Sequence, residues 1–322
     1  MSDYVGLVCI GDPHLEGRQP GFRKDDYPTV ILEKLEWILG YAAEHRLLPA
    51  FLGDVFDKPR DNPTWMIARL LDMLDGRACI GIYGNHDCAD PVLSEHDSLM
   101  LLFKSGRIRR VTATAPWIGT MAGREVVIGG SSYREALPKR LEPRSETAGG
   151  ALGVWLTHHD LLVPGYEEQG RIKPREIPGV ALVVNGHIHR RLETVVRGST
   201  EWVTPGNISR RSRNDLVREH IPSVLRVNVG ENGITLERVT VPHQPFDEVF
   251  HAAVPDGSAA APESAFVTGL AELQARRTAS GAGLMSFLDA NLGQFEEAVA
   301  IEIRALARGV TRSTDAGNEE KP

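Results

Sequence analysis

Residues 78–87 read Ala78-Cys79-Ile80-Gly81-Ile82-Tyr83-Gly84-Asn85-His86-Asp87. An apolar run of strand length ends in a glycine, and three side chains that carry chemistry follow it. The same construction recurs four times. Val5–Ile10 leads to Asp12-Pro13-His14, and Leu48–Leu52 leads to Gly53-Asp54-Val55-Phe56-Asp57. Val154–Leu156 leads to His158-His159-Asp160, and Val180–Val184 leads to Gly186-His187-Ile188-His189. Short apolar runs bounded by glycine predict buried strands. The carboxyl ends of strands are where open α/β sheets collect their functional side chains. Asp, His and Asn together make a mixed oxygen and imidazole donor set, suited to Mn, Fe or Zn. Each cluster alone is weak, because a lone Asp-x-His or Gly-Asp is common in turns. The weight lies in five of them in order, each at a strand end.

Between these strands the pattern turns helical. Ile31, Leu35, Ile38, Leu39 and Ala42 follow a 3.6-residue period, as do Met66, Ile67, Leu70, Leu71 and Leu74. Strand and helix in alternation predict βαβ units and a largely parallel sheet. Past residue 105 the runs are mostly β. Thr194–Val196 with Glu201–Thr204, and Val224–Val229 with Ile234–Val241, read as hairpins, the second closed through Asn232-Gly233. Strands without helices between them predict a second, more antiparallel sheet. Trp37, Trp155 and Trp202 fall on element faces and are expected in the core, whereas Trp65 could rim the cleft.

Residues 1–250 therefore read as one catalytic α/β domain. Residues 251–262 look like a linker and 263–310 like a helical region. In that region Leu288, Leu292, Phe295, Val299, Ile303 and Leu306 share one face. Residues 311–322 read as a disordered polar tail. No internal repeat is visible.

The composition is that of a soluble globular protein: 322 residues, 42% hydrophobic and 25% charged. A net charge of −7 argues against coating nucleic acid through bulk charge, though not against a local basic site. Residues 1–100 carry 9 basic and 17 acidic side chains, and residues 186–218 carry 7 and 3. Three cysteines and no secretory leader argue for a reducing cytoplasm. No apolar stretch reaches the length of a membrane span.

The five clusters resemble the ordered signature of the calcineurin-like metallophosphoesterase family: Asp-x-His, Gly-Asp-x-x-Asp, Gly-Asn-His-Asp/Glu, a lone His, then Gly-His-x-His. The resemblance covers about residues 5–245. It implies a four-layer α/β/β/α sandwich of two mixed sheets, here with a small helical C-terminal appendage. By position it implies that Asp12, His14, Asp54 and His189 hold one divalent metal ion. Asp54 would bridge to a second ion held also by Asn85, His158 and His187. His86 would be the catalytic histidine. Asp57, Asp87 and His159 would orient these groups. The cofactor implied is a pair of divalent ions, Mn2+ first, with Fe or Zn as alternatives.

The motifs themselves leave the phosphate ester open. Asp12–Gly17 and Gly53–Pro63 resemble the DNA-repair exonuclease branch, SbcD-like in bacteria, and the Asp-Arg-Gly of the protein-phosphatase branch is absent. Thr204–Arg210 also resembles that nuclease branch. The expected substrate is DNA, with Arg190, Arg191, Arg210, Arg211 and Arg213 either contacting its phosphates or forming a solvated loop. No aromatic residues interleave them, so the sequence indicates no stacking platform. The alternative is a phosphodiesterase or phosphatase acting on a small molecule such as a cyclic nucleotide. A catalytically silent binding subunit would have lost ligands, and all eight candidate positions are intact. The nuclease resemblance further implies that the C-terminal helix could dock a second copy or an ATPase partner. Burial within the chain is the other reading.

Overall fold

The computed structural model describes residues 4–142, 151–213, 215–231 and 233–251, together with 301 and 303. Strand β1 (Gly6–Ile10) enters the core at once. Helix α1 (Tyr27–Glu44) follows, then β2 (Leu47–Phe51), α2 (Thr64–Leu74), β3 (Ile80–Gly81), α3 (Ser98–Lys104) and β4 (Arg109–Arg110). Strands β1, β2, β3 and β4 pair in parallel, as the βαβ pattern requires. Both predicted helices form. Pro28 sits in the first turn of α1, where its missing N–H costs nothing. Met66, Leu70 and Leu74 are the buried positions of α2, four residues apart.

Strands β5 (Trp117–Met121), β6 (Arg124–Ser131), β7 (Leu152–Thr157), β8 (Leu182–Asn185), β9 (Val195–Arg197) and β10 (Thr200–Val203) build a second sheet. After helix α4 (Asp215–Glu219) come β11 (Ser223–Gly230), β12 (Gly233–Thr240) and helix α5 (Phe246–Val249). The two six-stranded sheets run β12-β11-β1-β2-β3-β4 and β5-β6-β7-β8-β10-β9. The fold is α/β with two mixed sheets.

The expected division of strands is corrected here. The hairpin β11–β12 does not belong to the second sheet: β11 pairs antiparallel with β1, Gly6 opposite Asn228, and so extends the first. Within the second sheet β6, β7, β8 and β10 are parallel, and only the edge strands β5 and β9 run antiparallel. Strand β11 alternates buried and partly exposed residues along most of its length and β12 is largely exposed, a pattern that fits the edge of either sheet, so the sequence did not show which sheet takes the hairpin.

Alternation along each strand gives both faces a core. Leu7 and Cys9 of β1, with Leu48 and Ala50 of β2, meet Val154 and Leu156 of β7 between the sheets. Val8, Ile10 and Phe51 face the other way, onto α1 and α2. Trp155 and Trp202 are buried on the outer face of the second sheet with Leu161, Val163 and Ile177. Among the described residues that face is covered by loop segments, not by helices. Trp37 is not in the core. It lies beside the buried stripe of α1, is 37% exposed and stacks on Tyr41 at 5.5 Å.

Cys9, Cys79 and Cys88 are free and buried. Among the described residues no helix is long and apolar enough to cross a membrane. The expected linker, the C-terminal helical stripe and the polar tail lie outside the described residues, apart from positions 251, 301 and 303.

Candidate metal centre

The five clusters converge. Asp12 and His14 follow β1, Asp54 follows β2, Asn85 and His86 follow β3, His158 follows β7 and His187 and His189 follow β8. Parallel strands present their carboxyl ends together, so three clusters from one sheet meet two from the other.

Among the described residues three donor groups form, one of them His14 with Asp57 and His86, and the other two share a carboxylate. Single donor atoms of Asp12, His14, Asp54 and His189 lie within 4.8 Å of one another, as do those of Asp54, His158 and His187. Asp54 belongs to both. The Nε2 atoms of His14 and His189 are 2.9 Å apart. Asn85 Oδ1 completes the second set, 3.2 Å from His158 Nε2 and 2.9 Å from His187 Nδ1.

The residues fit a pair of cations. Asp12 Oδ2 and Asp54 Oδ2 are buried and carry no hydrogen bond. Buried carboxylate oxygens are satisfied in folded proteins unless something else takes their charge. Burial, with Asp54 as neighbour, pushes the Asp12 carboxyl well above its ordinary value. Burial would raise Asp54 too, but His158 and His14 beside it hold it well below. Two buried carboxylates that cannot comfortably both ionise are relieved by a cation between them.

Neighbours set the tautomers. His158 Nδ1 donates to the Leu52 carbonyl at 2.7 Å, since a carbonyl oxygen only accepts, and this leaves Nε2 as the free lone pair. His187 Nε2 meets the Asp160 carboxylate at 2.7 Å, which leaves Nδ1 free toward Asn85. Asp54 Oδ1 accepts the backbone N–H of His86 at 2.8 Å, and Asp12 Oδ1 that of His187 at 3.0 Å. Each carboxylate is thus fixed by one oxygen and free at the other.

The backbone is forced into place. Asp12, His14, Asp54 and His187 have φ of 41°, 48°, 49° and 69°, a region that costs L residues about 1–3 kcal/mol each. The surrounding hydrogen bonds over-determine them. Tyr27 Oη donates to the His14 carbonyl at 3.0 Å and Ser209 Oγ to the Asp12 carbonyl at 3.2 Å. The buried Lys34 amine donates to the Ile208 carbonyl at 2.8 Å, and Ile208 N–H to the Gly11 carbonyl. Gly84 is required by space: a Cβ there would lie 2.1 Å from Asp54 Oδ1.

His86 lines the cavity, one third exposed, with Nδ1 donating to the Asp57 carbonyl at 2.8 Å. Burial alone would lower its pKa, but the Asp57 and Asp54 carboxylates raise it to about 9. With Nδ1 committed to that carbonyl, Nε2 is the nitrogen left to take up or release a proton. Asp57 lies 3.3 Å from His14 Nδ1 and 3.4 Å from His86 Nδ1, and Arg211 reaches it at 2.6 Å.

Two other expected orienting residues act elsewhere. Asp87 aims both oxygens at backbone amides, Phe56 at 3.1 Å and Gly84 at 2.9 Å, so it ties the second cluster to the third and touches no imidazole. His159 points away from His158 and is held by Thr157 Oγ1 and the Glu135 carbonyl.

The basic residues divide. Arg190 and Arg211 line the cavity, about 410 Å³, that contains the donors. Arg210 is corrected as a substrate contact. It is buried, and its guanidinium donates to the His220 carbonyl at 3.0 and 2.7 Å and to the Gln244 carbonyl at 3.0 Å. Arg213 bonds the His251 carbonyl and covers the Phe22 ring at 4.0 Å, and Arg191 lines a separate 70 Å³ cavity. Neither reaches the donors' cavity. Trp65 is half exposed and absent from that cavity's wall.

Sequence reading missed Asp160, Tyr27, Lys34 and Ser209 as supports of the centre. Asp160 stood in the fourth cluster, but its partner is 27 residues away, and no spacing rule marks such a pair.

No protein-family model and no curated protein sequence matches this chain. Among solved structures it is similar to the sulfate thiohydrolase SoxB of Thermus thermophilus, with 14% identity and a TM-score of 0.42 over 75% of this chain. The chain spans about half of that protein, 54%. A hypothetical protein, also from Thermus thermophilus, shows 11% identity and a TM-score of 0.42, covering 73% of this chain and 99% of its own. A predicted phosphoesterase from Streptococcus pneumoniae TIGR4 shows 11% identity and a TM-score of 0.35, covering 76% and 93%.

Proposed function

We propose that the chain is a calcineurin-like metallophosphoesterase that hydrolyses phosphodiesters with two divalent ions. The observation that carries this reading is Asp54, the buried carboxylate common to two donor sets. Asp12, His14, Asp54 and His189 would hold one ion, and Asp54, Asn85, His158 and His187 the other. When bound, such a pair neutralises phosphate oxygens and activates water for in-line attack.

The chain's own residues do the rest. As an imidazolium, His86 would present a proton at Nε2 at the cavity wall and pass it to the leaving oxygen. The Asp57 carbonyl fixes the tautomer that makes this possible. Arg211, held between Asp57 and Glu16, adds a permanent positive charge beside the donors.

DNA as substrate is supported by the resemblance of Asp12–Gly17 and Gly53–Pro63 to the repair-exonuclease branch. A specific observation favours a second reading, a nucleotide-sized substrate. Arg210 is committed to internal carbonyls, and the cavity has the volume of a small-molecule site, roughly 300–1,000 Å³. A parallel assay with manganese on linear duplex DNA, single-stranded DNA, cyclic AMP and a bis-aryl phosphate separates the two. Hydrolysis of at least one ester, abolished by chelator, is expected. No turnover of any of the four, with metal bound, would overturn the phosphoesterase reading.

A further inference from the structure

Besides the donors, the residues that line the cavity include Tyr166, Gln169, Ile188, Arg190 and Val217. Tyr166 and Gln169 sit on a loop that is braced from within. The amides of Arg171 and Ile172 donate to the Asp160 carbonyl at 2.8 and 2.9 Å, and Gly170 N–H donates to the Tyr166 carbonyl at 2.9 Å. The Arg190 guanidinium donates to the Gly165 carbonyl on the same loop. Tyr166 Oη donates to the Asp160 carboxylate at 3.4 Å, and that carboxylate also meets His187 Nε2 at 2.7 Å. One side chain therefore positions both an aromatic ring of the wall and a candidate metal ligand.

The wall offers a flat aromatic ring, an amide with donor and acceptor, a cation and two aliphatic side chains. A bare phosphate needs none of these except the cation, and a lipid tail would need a wall without the amide and the cation. A nucleobase uses them all: aromatic rings stack on its face, and a glutamine amide pairs with its edge. We propose that this wall is a nucleoside subsite, in which Tyr166 stacks on the base and Gln169 hydrogen-bonds its edge while the attached phosphate lies over the donors. The inference rests on the phosphoesterase reading and names its substrate class: a phosphate ester that carries a nucleoside.

The test is calorimetric titration of the manganese-loaded full chain with deoxyadenosine 5′-monophosphate, deoxyribose 5-phosphate and inorganic phosphate. The mononucleotide should bind about tenfold or more tightly than the sugar phosphate. Tyr166→Ala should remove that gap and Tyr166→Phe should keep it. Gln169→Ala, at an exposed position, should narrow the gap without disturbing the fold. Equal binding of mononucleotide and sugar phosphate, with inorganic phosphate still bound, would overturn the subsite and leave the phosphoesterase reading standing. Loss of phosphate binding by metal-loaded protein would overturn that reading and the subsite with it. A single-stranded tetranucleotide then separates the sources. Tighter binding than the mononucleotide identifies a nucleic-acid end and weaker binding a free nucleotide, and both support the subsite.

Discussion

The Asp57 backbone carbonyl accepts the Nδ1 proton of His86 at 2.8 Å, while the Asp57 side chain lies between His86, His14 and Arg211. One residue of the second cluster thus sets the tautomer of the third and steadies a donor of the first. The candidate acid and the candidate metal site share a support without sharing a ligand, so they are separable by substitution.

His86→Ala should keep its metal ions and lose roughly 10²–10⁴-fold in rate on esters with poor leaving groups. The loss should shrink on an aryl ester, whose leaving oxygen needs little protonation. Metal analysis beside turnover of both esters checks this. An equal loss on both would show that His86 stabilises the phosphate instead.

Asp54→Ala removes the shared donor and should lower bound metal from about two ions per chain to less than one. Asp160→Ala removes the partner of His187, and the Tyr166 Oη contact with it, but no candidate ligand. It should preserve the stoichiometry and weaken affinity by roughly 10–100-fold. Elemental analysis and metal titration of both variants measure the difference. Full occupancy in Asp54→Ala would mean that the two sets do not depend on it.

Arg210→Ala and Arg211→Ala should fail in different ways. Loss of the Arg210 guanidinium leaves the His220 and Gln244 carbonyls without their donor, a cost of about 2–4 kcal/mol, visible as a lower melting temperature. Arg211 is partly exposed, so its loss should leave the melting temperature nearly unchanged and weaken phosphate binding. The reverse pattern would restore Arg210 as a substrate contact.

Lys34 should make stability depend on pH. Burial, reinforced by Arg23 and Arg210, lowers its amine to about 7 in the folded protein. The unfolded value is about 10.4. Between these values the unfolded chain binds more protons, so stability should rise with pH, by up to about 1.4 kcal/mol per unit. Below about 7 the amine is charged in both states and the contribution levels off. Lys34→Met should flatten this rise relative to the parent, measured as denaturant midpoints at pH 7 and 9.5. Parallel slopes in the two proteins would show that the buried amine does not titrate there.

The sequence by itself determined the local elements and the chemistry they carry. Glycine-bounded apolar runs specified the strands, a 3.6-residue stripe specified α1 and α2, and the residues just past each strand specified the donor types. These are properties of short segments, so a linear reading reaches them. Only the tertiary structure decided which sheet took the β11–β12 hairpin, because a half-buried edge hairpin carries no mark of the strand it will pair with. It also decided that Arg210 would be a buried brace and Arg211, one residue on, would reach Asp57. The positive φ of Asp12, His14, Asp54 and His187 is likewise held from outside, since Asp and His tolerate that backbone better than most residues but seldom adopt it. The pairing of Asp160 with His187 and of Tyr27 with the His14 carbonyl arises for the same reason. Such contacts join residues distant in the chain, and their energies exist only once packing has brought the strand ends together.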